Sequence, residues 1–436
     1  MIKQTIFGIK WTAFGSIFQM LAQVIQLLLI AKMLGPTLYG EAILALIVVR
    51  MMMPFSAAGV GTVLVQEEEL SQTQLSSLFW SNLFFALVIY LILFLFSPLI
   101  SSVLELPNLT FFIRIGALSI VLNALGNIHN ALLNKYLQFK TTSKITMISV
   151  FFDLFVSLII TYLGFYVWAL LLGFLGRVVV AVFLQIWFGK SYFLPTFYFK
   201  IEEIKPILSK CFFDMAAQFT NMLATNIDNI LVGKHFGITN LGYYALAWDL
   251  AMKPVYAIVP IITKVKFPIW VQLKKTPLLL AQDYEKTVFY VMQLMCLVFG
   301  FWYLFSTFFI PFWYGAAWLP VVTYLHILIF LGVVRSFGSL SSYLGMTLGF
   351  FKKEFYFTVN QIIIYSIFLS FVIFYFHNLT YFCCAMFLGY FLNDLLWYRF
   401  LHKNTTVDFL QLGKKVFLQI ALPFLIVIVL LYSIIF

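Results

Sequence analysis

The sequence predicts an all-α integral membrane protein of about 13 transmembrane helices, built as two six-helix parallel repeats plus an extra C-terminal helix. Three observations carry this prediction. Of the 436 residues, 63% are hydrophobic and 10% are charged, against about 45–50% and about 25% in soluble domains. Thirteen apolar runs, at 10–33, 41–65, 78–103, 111–133, 145–165, 166–188, 211–235, 240–265, 287–312, 318–346, 355–376, 379–401 and 416–436, approach or exceed the roughly 20 residues an α-helix needs to cross a bilayer. They do not alternate polar with apolar residues, as barrel strands would. Finally, a pattern in the first run returns 202 residues later.

In the first run, Thr12, Ser16, Gln19, Gln23 and Gln26 follow at steps of four, three, four and three. That spacing aligns them on one face of a helix. The seventh run does the same with Asp214, Gln218, Asn221, Thr225 and Asp228, with Asn229 next in line. Each stripe ends in a lysine and a glycine turn: Leu34-Gly35-Pro36-Thr37-Leu38-Tyr39-Gly40, and Phe236-Gly237-Ile238-Thr239-Asn240-Leu241-Gly242. Lys32 matches Lys234, Gly35 matches Gly237, Thr37 matches Thr239, and Gly40 matches Gly242. A second match aligns Pro98–Pro107 with Pro311–Pro320 at an offset of 213, the difference fitting the longer connection at 266–286. Apolar sequences resemble one another cheaply, but shared polar spacing together with a shared glycine turn favours duplication. Six helices per unit is an even number, so both copies enter the membrane in the same sense, and a substrate site is expected at the repeat interface. The expected units are 1–188 and 211–401, with a cytoplasmic linker at 189–210 and a loop and additional helix at 402–436.

The connections set the orientation. With the N-terminus in the cytoplasm, 20 of the 27 basic residues fall in cytoplasmic segments, and Lys32, Arg114 and Lys234 lie near external ends. This is the positive-inside pattern, and it accounts for the net charge of +11 without nucleic acid. The acidic run Glu67-Glu68-Glu69 falls in a cytoplasmic connection, where carboxylates weigh little. The first run is too long for a cleavable signal peptide and lacks a small-residue cleavage site, and the C-terminus is expected outside. Cys211, Cys296, Cys383 and Cys384 sit in apolar runs without ligand spacing and read as packing residues. The five histidines are scattered and read as ordinary polar residues.

No nucleophile elbow, metal cluster or phosphate loop is present. No cofactor is expected beyond a coupling proton or Na⁺. The informative residues are four cations well inside apolar runs: Arg50, Arg177, Lys253 and Arg335. Such charges cost roughly 2.5–3.5 kcal/mol at the bilayer centre and persist by pairing, snorkelling or facing water. Asp249 lies four residues from Lys253 and offers it a local partner; the three arginines have no acidic neighbour at helical spacing and must reach another helix or a cavity. A shared cationic cavity would suit a phosphate or diphosphate. Gln19, Gln23, Gln26, Gln218, Asn221, Thr225 and Asn229 would face sugar hydroxyls from its wall, the plain alternative being helix–helix adhesion. Asp214, Asp228 and Asp249 are candidates for ion coupling. Asp153 and Asp394 are secondary because they lack a stripe. Pro54 in the second run, and Pro254 and Pro260 in the eighth, predict kinks.

Leu34-Gly35-Pro36 after the first helix, Asp228-Asn229 leading to Gly233 and Gly237, Leu241-Gly242-Tyr243-Tyr244, and the two six-helix units together resemble the polysaccharide transporter (Wzx-type) family. That family belongs to the multidrug/oligosaccharidyl-lipid/polysaccharide exporter superfamily, and the likeness spans roughly residues 3–400. It implies a bacterial inner-membrane flippase of undecaprenyl-diphosphate-linked oligosaccharides, with two lobes in a V around a cationic cavity. It also implies an origin in O-antigen, capsule or exopolysaccharide assembly beside a polymerase and chain-length machinery. Two alternatives stand beside it. A cation-coupled small-molecule exporter would rely on Asp214 or Asp228 and would not need four buried cations. A membrane polysaccharide polymerase would present a large external loop, and the external connections here are short.

Overall fold

The computed structural model describes residues 2–57, 60–66, 70–416 and 418, and every described element is helical. In chain order these are α1 (Ile2–Met51), α2 (Met53–Ala57), α3 (Val60–Gln66), α4 (Gln72–Val103), α5 (Leu109–Gly116), α6 (Leu118–Lys135), α7 (Phe139–Tyr162) and α8 (Tyr166–Gly189). There follow α9 (Ile201–Phe236), α10 (Ile238–Leu273), α11 (Pro277–Tyr314), a 3₁₀ turn (Ala316–Trp318), α12 (Pro320–Leu348), α13 (Phe351–Tyr375), α14 (Leu379–Asn404) and α15 (Phe409–Val416). The expected C-terminal span at 416–436 and the Glu67–Glu69 run lie outside the described residues, Val416 and Leu418 aside.

Ten helical stretches among the described residues are long and apolar enough to cross a membrane. The stretch Trp11–Ser56 is one of the ten and holds the expected span 10–33 and the start of 41–65. Helix α9, which carries the second polar stripe, is not among them because that stripe lowers its hydropathy. The expected span 41–65 is broken: α1 stops at Met51 and the chain restarts in two short helices. Pro54, second in α2, removes an amide donor there and its ring crowds the preceding turn. Pro254, Pro260 and Pro268 are all accommodated within the continuous helix α10.

The two glycine turns share one backbone conformation. Gly35 has φ 71° and ψ 171°; Gly237 has φ 88° and ψ 163°. This region is open essentially to glycine alone. It bends α1 at its middle and separates α9 from α10 at the equivalent place in the second copy.

The chain forms two compact units, Met1–Gly242 and Tyr243–Phe436. In the first, α8 packs against α6 and α7, and α7 packs against α1. The segment after α8 is tied down along α4: Gln72 donates to the Tyr192 carbonyl at 3.0 Å and Trp80 Nε1 to that of Thr196 at 2.8 Å. The Lys200 amide donates to Ser77 Oγ at 3.1 Å. Phe193, Ile204 and Ile207 thereby join an apolar cluster with Leu64, Leu78 and Ile128. In the second unit, α14 packs on α12 and α13, and α12 on α11. Cys211, Cys296 and Cys383 are buried, Cys384 is half-buried, and no disulfide joins the four.

Candidate functional site: intramembrane charge clusters and the paired glycine turns

The four intramembrane cations fall into two groups, one in each unit. In the first, Asp153 of α7 is the centre and is 4% exposed. Arg177, on the neighbouring α8, places a guanidinium nitrogen 3.9 Å from its Oδ2. Gln26, the last residue of the first stripe, donates to Asp153 Oδ1 at 3.0 Å and to Ser157 Oγ at 2.9 Å. Arg50, at the end of α1, lies 5.2 Å over the ring of Phe174 and interacts electrostatically with both Asp153 and Arg177. Two cations therefore share one carboxylate. Because Arg50 is exposed while Asp153 is buried, the surplus positive charge is on the open side of the cluster.

A glycine makes this approach feasible. Gly173 lies one turn before Arg177 on the same face of α8. A Cβ at Gly173 would overlap Ser157 Oγ and stand 2.8 Å from Asp153 Oδ1. The missing side chain lets α7 close on α8 until Arg177 reaches its partner. Arg177 keeps 25% of its side chain exposed. Its replacement by methionine is therefore expected to destabilise the protein by about 3 kcal/mol, the low end for breaking a buried ion pair. Adding Asp153→Asn should restore most of the loss, which thermal unfolding of the purified single and double variants would measure.

The second unit uses the same device. Arg335 of α12 lies 4.9 Å over the ring of Tyr390 and interacts electrostatically with Tyr256 of α10 and with Asp394 on α14. Tyr398 lies 3.4 Å from Asp394 Oδ2, and Tyr390 stacks on Tyr365 with a 4° interplanar angle. Gly338, one turn after Arg335, would with a Cβ come 2.5 Å from Asp394 Oδ2. Lys253 is held by Asp249 on its own helix at 2.9 Å.

The second stripe divides along its length. Asp214 accepts from Gln218 at 2.6 Å, Thr225 donates to the Met222 carbonyl at 3.2 Å, and Gln218 and Thr225 are exposed. Farther on, Asp228 and Asn229 are buried, at 2% and 6% exposure, and Asn229 donates to Asp228 Oδ1 at 3.3 Å. The Asn221 side chain lies outside the described residues. In the first stripe Gln19 and Gln23 are half-buried and Gln26 is committed to Asp153.

The two glycine turns lie against each other. Thr37 Oγ1 and Thr239 Oγ1 are hydrogen-bonded at 2.8 Å. A Cβ on Gly40 would overlap the Ile238 carbonyl oxygen, and one on Gly242 would overlap that of Pro36. Pro36 and Ile238 are themselves 202 apart, so each turn makes on the other the contact it receives. This reciprocity is what a twofold-related pair of identical turns produces.

This is a duplicated helical scaffold with paired charges inside its spans. The family model described as "Polysaccharide biosynthesis protein" matches residues 29–323, more than half of the chain. The chain belongs to that family. Its curated relatives include the teichuronic acid biosynthesis protein TuaB of Bacillus subtilis (strain 168), 29% identical over 348 residues, which are 76% of this chain and 69% of that protein. The lipopolysaccharide biosynthesis protein WzxC of Escherichia coli (strain K12) is 25% identical over 339 residues, 77% of this chain and 68% of that one. Among solved structures, the lipid II flippase MurJ in an inward closed conformation superposes with a TM-score of 0.73 at 18% identity, covering 98% of this chain and 93% of that one. The chain is a multi-pass membrane protein of that family, with the fold of the MurJ structure.

The residues that complete each cluster, Asp153, Tyr256, Tyr390 and Asp394, carry no local signal of partnership with an arginine. The usable sign was general: a carboxylate inside an apolar run needs a partner as much as a guanidinium does, and a glycine one turn from Arg177 and from Arg335 marks where a neighbouring helix comes close.

Proposed function

We propose that the protein flips undecaprenyl-diphosphate-linked oligosaccharides across a bacterial cytoplasmic membrane for surface polysaccharide assembly. In this reading Arg50, Arg177, Lys253 and Arg335 receive the diphosphate, and alternating access moves the head group while the prenyl chain stays in lipid. The observation that carries it is the cluster of Arg50 and Arg177 over the single carboxylate of Asp153, because surplus positive charge among membrane spans is completed by an anion. Membership of a polysaccharide biosynthesis family supports a glycan as the cargo. Gln19, Gln23, Gln218 and Thr225 keep accessible amides and hydroxyls for it, and a polymerase with chain-length machinery would receive the product. The N-terminus is assigned to the cytoplasm, since in each unit the lysines gather at one end of the helices. Deleting the gene is expected to leave lipid-linked oligosaccharide on the cytoplasmic leaflet, protected from an external glycan-modifying probe. Equal labelling in deleted and parental cells would refute the reading.

For coupling, we assign a proton or Na⁺ to Asp228, the most deeply buried carboxylate of the stripe, which accepts from Asn229. Asp228→Asn is expected to abolish the dependence of export on an ion gradient. An unchanged response when either gradient is collapsed would remove that role.

A further inference from the structure

At the end of the first unit opposite its lysine-rich connections lies a cavity of about 530 Å³, within the size range of small-molecule sites. Three separate stretches build it: the residues just after the first glycine turn, the start of α5, and the turn into α8. It holds none of the four transport cations. Its polar groups are the half-buried carboxylate of Glu41 and the side chain of Asn108, which interacts with that carboxylate. Its walls are aromatic. Phe111 and Phe165 are 65% and 60% exposed, and Tyr166 is 40% exposed. Trp168 is fixed by an edge-to-face contact with Phe112, 4.6 Å between centroids.

We infer that this cavity is a saccharide-binding site, separate from the charge clusters, which holds a sugar unit of the cargo on the far side of the membrane. The inference rests on the glycan reading above. Aromatic faces cover the apolar C–H face of a pyranose, while a carboxylate and an amide accept from and donate to its hydroxyls. Aromatic residues at a membrane boundary also anchor lipid, but that role calls for rings on a surface and not for a half-buried carboxylate and an amide among them. An anionic head group is disfavoured by Glu41, and no lysine or arginine is among the lining residues. Arg114, on the same short helix, is turned away to Ser97 and the ring of Phe94. Leu38 and Glu41 lie next to Thr37 and Gly40, so an occupied cavity also bears on the paired turns.

The test uses the full-length protein in nanodiscs and saturation-transfer NMR with four probes: maltose, cellobiose, lactose and N,N′-diacetylchitobiose. At least one is expected to bind, with affinity lowered about tenfold or more by Glu41→Ala or Trp168→Leu and unchanged by Gly413→Ala. A second conservative variant, Trp168→Phe, should retain part of the binding, which separates loss of the site from loss of the fold. Binding of none of the four, or binding insensitive to both pocket variants, overturns the proposal. So does a sugar signal abolished by phosphatidylethanolamine in place of phosphatidylglycerol, which makes the cavity a lipid site. The outcome is distinguishable from failure of the transport reading: pocket-dependent sugar binding together with unaltered cargo sidedness in the deletion strain would leave the site standing and remove flipping.

Discussion

Alanine at Gly40 or at Gly242 is expected to abolish function, the largest effect of any single methyl group in this protein. Each added Cβ would occupy the place of a backbone carbonyl oxygen, that of Ile238 or of Pro36. A carbonyl in a turn cannot swing aside as a side-chain tip can. The turns must separate, and with them the Thr37–Thr239 bond. Overpacking of this kind costs typically 1–3 kcal/mol and more where backbone must move. Both substitutions break one contact surface, so the double variant should cost clearly less than the two singles together. Gly413 has nothing within 4 Å of a built Cβ, and Gly413→Ala should be neutral or slightly stabilising. Thermal unfolding of the purified variants, with complementation of a deletion strain, checks all four. Wild-type stability and complementation in Gly40→Ala would mean that the turns do not bear on each other.

The second large effect is expected from neutralising Arg50 and Arg335 together. They lie in different units and touch different partners, Phe174 in one case and Tyr256 and Tyr390 in the other, so their losses should add. Each charge-assisted hydrogen bond to a phosphate contributes about 1.5–3 kcal/mol, so the Arg50→Gln/Arg335→Gln variant is expected to export about 1% of the wild-type amount or less. Immunoblotting of membranes should show the protein still present. Arg335→Lys should fall between, because an ammonium keeps the charge but loses the planar fork and the stacking on Tyr390. Full complementation by the double glutamine variant would detach both arginines from the cargo.

Helix α9 and the turn after it mark how far local pattern reaches. The four–three spacing from Asp214 to Asp228 placed a polar stripe on a helix, and the glycine at 237 marked its end. What spacing could not distinguish is that Gln218 and Thr225 stay accessible while Asp228 and Asn229 are buried, since one helix face can be wet at one level and packed at another. Gln26 shows the same thing from the other copy: a residue read as cavity wall donates to Asp153 and Ser157, so it also joins two helices. Pro54 predicted a kink and lies beside a break, whereas α10 continues as one helix through its three prolines.

The sequence by itself determined that this is a duplicated, polytopic membrane protein, which ends of its helices carry the lysines, and where its two glycine turns fall. Each of these depends on composition or on spacing within one helix, and the backbone conformation open only to glycine is equally local. Only the tertiary structure decided that Arg177 meets Asp153, that Arg335 joins Tyr256, Tyr390 and Asp394, and that Gly40 and Gly242 rest on each other's turns. Those pairings depend on the rotation of each helix about its axis and on how closely a glycine lets two backbones approach, and neither quantity is written in the spacing of residues along one chain segment.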